Sequence, residues 1–429
     1  MQLASIEQVR SFVAGDRMLR RVGGVGSVKH SMYATPATQN LRIALVHDFL
    51  LDLRGAERVF LQLCGMFPEA DIFTAVYDPV GTQGRFEDRN VITSGQQKLR
   101  PTARTFRPLL PFYPAAIESL DLRGYDLVIS SSSAWAHGVI PDENAVLVSY
   151  CHNPFRYAWT EREATLDARS VVVRPVLAQV MHRWRQWDFI AAQRVDAYVA
   201  NSKTTQQRIE RYFSRDSTVI YPPVEIERFS PGPVEDYHLV LSELIAHKRI
   251  EVVVRAFSRL GLPLVVAGDG PDARRLQRLA GPSVRFAGRV SDHEAEALLR
   301  GAQSMVVAAT EEFGIAAVEA QASGRPVIAL RAGGLVETVV EGKTGLFFDR
   351  PDPAALCAVL EQFDATDFAT ADCVAQAQRF SPERFSNEFS AVVEKTLSDG
   401  PVRSAASGNR APARRVRGRG LARQSRLRS

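Results

Sequence analysis

Four cysteines are scattered through 429 residues, at positions 64, 151, 357 and 373, with no C-x-x-C pair. Spacings of this kind exclude a disulfide framework and a structural zinc site. No uninterrupted apolar stretch approaches the ~20 residues that a membrane-crossing helix needs. The chain also lacks a D-x-D triplet, and no metal and no resident cofactor are expected. No apolar segment followed by small residues stands near the start, and with the unpaired cysteines this reads as a protein of the reducing cytoplasm.

The charge is unevenly placed along the chain. Residues 401–429 hold nine arginines and no Asp or Glu; taking these nine from the net +5 leaves residues 1–400 at −4. The basic isoelectric point is a property of that tail, and nucleic acid is not an expected partner. The tail reads either as a solvated, disordered end or as a tether to an anionic membrane surface. Residues 1–40 read as a poorly ordered extension.

What is present in quantity is apolar residue, 45% of the chain, arranged as short β-branched runs alternating with helical segments. That alternation predicts an α/β fold with parallel sheets buried on both faces. Strands are expected at 42–47, 70–77, 126–131, 145–151 and 195–202 in a first domain (41–222), and at 238–243, 262–268, 284–289, 304–310, 325–330 and 344–348 in a second (237–385). Four prolines in YPPVEIERFSPGPVEDY mark a linker over 223–236. A last helix over 386–400 is placed to pack back on the first domain. Two doubly wound Rossmann-like domains then face each other across a cleft, and ligands belong at the carboxyl ends of their strands.

The stretch AATEEFGIAAVEAQASGRPVIA (308–329) carries the most chemistry. A strand runs into Glu311 and Glu312, then Phe-Gly, then a helix of small residues. Glu311 precedes the helix and Glu319 stands two turns inside it, so both carboxylates can address one crevice. The N–H groups of Phe313, Gly314 and Ile315 are free to line it. Glu319 is the informative residue: a carboxylate among Ile315, Ala316, Ala317, Val318 and Ala320 is costly to bury unless ligand hydroxyls meet it.

These blocks, together with ALVHDFLLDLRGAERV, SYCHNPFRYAW, LIAHKRIEVVVRAF, VVAGDGPD, VRFAGRVSD and GGLVETVVEGKTGLFF, resemble the retaining glycosyltransferases of family 4, which have the GT-B fold. The resemblance covers roughly residues 41–395 and is nearest to mannosyltransferase-like enzymes of exopolysaccharide and O-antigen lipopolysaccharide assembly. It implies a nucleotide-sugar donor, GDP-mannose by those relatives, and a saccharide or lipid-linked acceptor. Carried over by position, Glu319 holds the donor ribose, Glu311 lies by the transferred sugar, and Lys248 neutralises the diphosphate with Arg249 beside it. His152, at the end of a strand, contacts the donor sugar near the reaction centre. Gly55 lets backbone approach the diphosphate, and Gly288, Arg289 and Val290 flank the base. Arg156 and Tyr157 shape the acceptor side.

Glu243 departs from the pattern, since many relatives have Arg there; either it points away or Arg249 or Arg289 compensates. LVVAGDGPDA satisfies G-x-G-x-x-A, but Asp269 would oppose a pyrophosphate, so its glycines read as a tight turn, with Pro271 opening the helix. Asp48 and His47 read as loop residues of either structural or ligand-binding use. Segments 99–120 and 171–189 mix Arg with bulky apolar residues and read either as membrane-interface elements, placing the protein on the inner face of the cell membrane, or as packed helices with Trp184 and Trp187 turned inward. Alternative activities for the same architecture are sugar-nucleotide epimerase, phosphorylase and non-catalytic sugar-nucleotide binder.

Overall fold

A computed structural model describes residue 38 and residues 40–401 of the chain. The rest of the expected N-terminal extension and the Arg-rich tail lie outside the described residues.

Two all-parallel sheets organise the described chain. The first contains β1 (Ile43–His47), β2 (Asp71–Thr74), β3 (Val91–Thr93), β4 (Leu127–Ser132), β5 (Val146–Cys151), β6 (Ala197–Ala200) and β7 (Ser217–Val219), in the order 3-2-1-4-5-6-7. The second contains β8 (His238–Leu241), β9 (Leu264–Ala267), β10 (Val284–Gly288), β11 (Met305–Val307), β12 (Val327–Leu330) and β13 (Gly345–Phe348), in the order 10-9-8-11-12-13. Counted from its own first strand, each sheet runs 3-2-1-4-5-6, extended by a seventh strand in the first sheet; this is the doubly wound order of a GT-B half, in which the direction of winding reverses between the first and fourth strands while every strand stays parallel. Every strand expected from sequence is present, somewhat shortened. The two that sequence did not reveal, β3 and β7, are three-residue edge strands without fully buried positions, so they carry no apolar run to read.

Strand alternation divides the first sheet into two packed faces. Ala44, Val46, Val128, Leu147 and Cys151 face a core closed by Trp135, Phe155 and Trp184. Leu45, Ile129, Val148 and Tyr150 face the helix Gly55–Met66 and the last helix, Pro382–Asp399. That last helix crosses from the second domain to the first: Phe385 and Phe389 pack on Tyr150, and Ser386 Oγ accepts from Gln62 Nε2 at 2.9 Å. It contributes several fully buried apolar side chains, each stabilising by roughly 1.5–3 kcal/mol, so the two halves are joined by core as well as by linker.

Glycine is required where loops of the second domain touch. Gly268 has φ +137°, and a Cβ on it would lie 1.8 Å from Ser242 O; one on Gly270 would lie 2.3 Å from Leu244 O. These glycines of the GDG turn therefore support the loop after β8, as a tight-turn reading requires. Pro271, however, stands two residues before the helix Ala273–Leu279 and does not open it. Gly333, at φ +64°, similarly lets the loop after β12 pass beneath Glu311, with Gly334 N–H donating to Glu311 O at 2.8 Å. Among the described residues all four cysteines are free and buried, and no helix is long and apolar enough to cross a membrane.

Candidate active site

The carboxyl ends of β8 and β11, at the reversal of the second sheet, bring Lys248 and Glu311 together. Lys248 ends the short turn Ala246–Lys248, and Arg249 follows in a left-handed conformation (φ +50°) that starts the helix Ile250–Leu260. Lys248 Nζ lies 2.7 and 2.8 Å from the two oxygens of Glu311, with both side chains about four-fifths buried. The ammonium is thus held at the cleft edge by a carboxylate that a more highly charged anion could replace.

Glu311 leads into the helix Ile315–Ala322, which begins at Gly314 with φ +93°; a Cβ there would meet Leu335 at 2.7 Å. Facing it, the helix Gly55–Met66 of the first domain begins so near that a Cβ on Gly55 would lie 3.1 Å from Ile315 Cδ1. Two helix N-termini from different domains therefore converge, and their free N–H groups and dipoles add positive potential beside Lys248. Phe313 is different: its ring packs on Tyr221 and Phe380 in the hinge core, leaving only its backbone for a ligand.

Glu319 stands one turn deeper. No described residue donates a hydrogen bond to its carboxylate, and burial raises its pKa above the ordinary value, opposed by the positive charges of Arg58 and Arg228. Those arginines are themselves engaged by Asp292: Arg58 Nη2 lies 2.9 and 3.0 Å from its two oxygens, and Arg228 Nη2 is 3.5 Å away. Arg58 comes from the first domain, so the pair spans the cleft.

Further ion pairs cross the same gap. Glu243 points across it to Arg54 Nη1 at 2.9 Å, and neither Arg249 nor Arg289 compensates it. Arg249 is exposed, and Arg289, three-quarters exposed, comes within 3.9 Å of Asp52 in the first domain. Gly288 is open on its Cα side, while Val290 packs into the second core. Glu312 receives Arg156 at 3.2 Å and Arg208 at 3.5 Å, both from the first domain. Arg156 also reaches His247, next to Lys248, at 3.4 Å, so it ties the domains together here. Glu337 accepts from the N–H groups of Lys203 and Thr204, capping the helix Lys203–Phe213 from the other domain. Arg54, Arg58, Arg208, Glu312 and Glu337 were not singled out by sequence reasoning, because a charge on a helix face reads as solvated until its partner in the other domain is placed.

His152 directly follows β5. Its backbone N–H donates to Ser132 O at 2.8 Å and its ring Nε2 lies 2.8 Å from Ser131 Oγ. Burial, with a smaller contribution from His47, pushes its pKa down to about 3. It is neutral at working pH. Next to it, Asn153 accepts from Arg208 at 2.7 Å, the same arginine that reaches Glu312, so the His152 loop and the Glu311 loop border one cleft. Asp48 serves the structure: its two oxygens accept four backbone N–H bonds, from Ser133, Ala134, Trp135 and Ala136, at 2.5–3.0 Å. Among the described residues no group of three or more His, Cys, Asp or Glu is placed to hold a metal.

Residues 53–228 match the model described as Glycosyltransferase Family 4, and residues 225–379 that described as Glycosyl transferases group 1. Both models describe glycosyltransferases, and each covers less than half of the chain. The two matches overlap at residues 225–228. Curated proteins similar to this chain include the D-inositol 3-phosphate glycosyltransferases of a Nocardioides species, 29% identical over 48% of this chain and 54% of that protein, and of Streptomyces scabiei, 30% identical over 40% and 46%. The chain spans about half the length of the curated relatives it matches. The fold is shared with HepE of Anabaena, solved in complex with UDP and glucose (TM-score 0.64, 18% identity, 82% of this chain and 99% of that one). It is shared equally with sucrose-phosphate synthase of Thermosynechococcus elongatus (TM-score 0.65, 18% identity, 83% and 100%).

Proposed function

We propose that this glycosyltransferase is a retaining, metal-independent hexosyltransferase that takes its sugar from a nucleotide donor and passes it to a saccharide or lipid-linked glycan. The observation that carries the reading is the meeting of two helix N-termini with Lys248 at one point of the cleft, one helix turn from Glu319. A nucleoside diphosphate offers charge to the first group and ribose hydroxyls to the second. As the bond from the sugar's anomeric carbon to the phosphate oxygen breaks, the acceptor oxygen bonds that carbon from the same face and its proton passes to the departing phosphate. Fixed donors at that phosphate stabilise the charge where it grows. Neutral His152 serves as a hydrogen-bonding group in this scheme and donates no proton.

The sequence blocks favour mannose from GDP-mannose; UDP-sugars are the competing donor class, UDP being what the Anabaena neighbour holds. A thermal-shift series with GDP, UDP, GDP-mannose and UDP-glucose decides. Saturation at about a hundred times Kd stabilises by ~2.7 kcal/mol. No shift with any nucleotide at millimolar concentration refutes the site, and a shift with uridine nucleotides alone refutes the mannosyl donor.

We further infer peripheral attachment to anionic membranes. The helix Arg174–Ala192 turns Met181, Trp184 and Asp188 inward, yet Val171, Val172, Val176 and Ile190 stay 64–84% exposed beside the exposed Arg169 and Arg183. An exposed apolar and basic face of this kind suits a lipid interface.

A further inference from the structure

Four buried polar side chains form a line behind the cleft. Glu57 Oε1 lies 3.6 Å from His47 Nε2, His47 Nδ1 lies 3.1 Å from Ser131 Oγ, and Ser131 Oγ lies 2.8 Å from His152 Nε2. All four residues are at least nine-tenths buried. The alignment follows from the sheet: His47 on β1 and Ser131 on β4 are register partners, and His152 stands two residues beyond Tyr150, the partner of Ser131 on β5. All three side chains therefore emerge on one face, the face against which the helix carrying Glu57 packs.

One hydroxyl proton can satisfy only one of the two imidazoles, so the line must have a direction. Its far end sets that direction. An ionised carboxylate only accepts, so with one proton per ring the proton of His47 belongs on Nε2, facing Glu57. His47 Nδ1 then accepts from the Ser131 hydroxyl. Ser131 Oγ, its proton spent, accepts from His152 Nε2–H. No described residue bonds the remaining ring nitrogen of His152, Nδ1.

We propose that Glu57, acting through His47 and Ser131, locks His152 in the Nε2–H tautomer, so that its free Nδ1 is a hydrogen-bond acceptor for a hydroxyl of the transferred sugar. Glu57, His47 and Ser131 are positioning residues, comparable to the outer partners that orient a metal-bound histidine. Only the identity of what meets Nδ1 rests on the transferase reading; the tautomer does not.

The test reads the tautomer directly. Nitrogen-15 NMR of the histidine-labelled full chain at about pH 8.5, above the ordinary imidazole range, separates protonated from bare ring nitrogens, with His152 assigned by the signals lost in His152→Gln. Wild type is expected to show His152 with bare Nδ1 and protonated Nε2. Glu57→Gln should reverse it. Glu57 Oε2 accepts from Arg54 N–H at 3.0 Å, so a glutamine keeps its carbonyl there and turns its NH2 to His47 Nε2. His47 then donates from Nδ1, Ser131 donates to His152 Nε2, and His152 carries its proton on Nδ1. Transfer should slow about tenfold to a hundredfold, the usual scale for an outer partner. In a Ser131→Ala background the Glu57 substitution should leave His152 unchanged. A wild-type spectrum with the proton on Nδ1, or a His152 pattern identical in wild type and Glu57→Gln, overturns the proposal. Both are legible whether or not the chain transfers a sugar.

Discussion

Replacing Lys248 by Met separates a catalytic cation from a structural one. The substitution keeps the apolar stem and removes the ammonium that lies 2.7 and 2.8 Å from Glu311. The pair is neither fully buried nor freely exposed, so its loss should cost about 1 kcal/mol of stability, a shift in Tm of only a few degrees. Its effect on transfer is larger. A unit charge ~4 Å from a developing phosphate charge is worth up to ~4 kcal/mol at the effective dielectric of a partly buried site, and removing one such fixed donor typically slows turnover ~100- to 1,000-fold. Glu311 adds a second consequence: without its partner it is a free anion where the diphosphate must sit, so donor affinity should fall as well. Changing Glu311 to Gln in the Lys248→Met protein should then restore donor binding while turnover stays low. Single-turnover kinetics with radiolabelled donor, beside calorimetric Kd values, distinguish the two effects. Turnover above about a tenth of wild type in Lys248→Met would refute the assignment.

Glu319→Gln should bind donor poorly yet make the protein more stable at neutral pH. The folded-state pKa is raised, so the carboxylate costs nothing below the unfolded value of 4.5, and its cost grows as pH rises through the folded value and persists above it. Melting curves should therefore show a Tm gain at pH 7 that vanishes below about pH 4, and an equal gain at both would refute the burial argument. For the membrane reading, wild-type protein should pellet with vesicles of about 30% anionic lipid and a Val172→Glu, Val176→Glu variant should pellet much less; wild-type protein left in the supernatant refutes attachment.

The strands, the linker and the two-glutamate block were legible because each is a local pattern: apolar runs bounded by turn residues, a proline cluster, a carboxylate in a helix of small residues. The compensation of Glu243 was not. Its partner, Arg54, lies 189 positions away in the other domain, and neither residue carries a mark of the other. The same holds for Arg58 with Asp292 and for Glu337 with the helix at Lys203. Sequence spacing speaks to contacts within an element or between adjacent ones, whereas a cleft between two domains is made of contacts that no spacing encodes.

Ser131 and Ser132 show how much one residue of register decides. Both sit on β4 in a run of serines with nothing in their type to tell them apart. Strand alternation sends Ser131 to the face shared by His47 and His152. It sends Ser132 to the opposite face, where its Oγ lies 3.2 Å from His137 Nδ1, and His137 Nε2 lies 3.2 Å from Asp188. That second set has the residue types of a nucleophilic triad, yet all three are at least 98% buried, and Trp159 occupies the other oxygen of Asp188 at 2.6 Å. No substrate can reach it, so its contacts only hold the helix Arg174–Ala192 against the sheet. The set around Ser131 ends at a histidine beside the cleft. Residue types therefore nominate two polar lines in this domain, and the pleat of a single strand determines which of them opens toward a ligand.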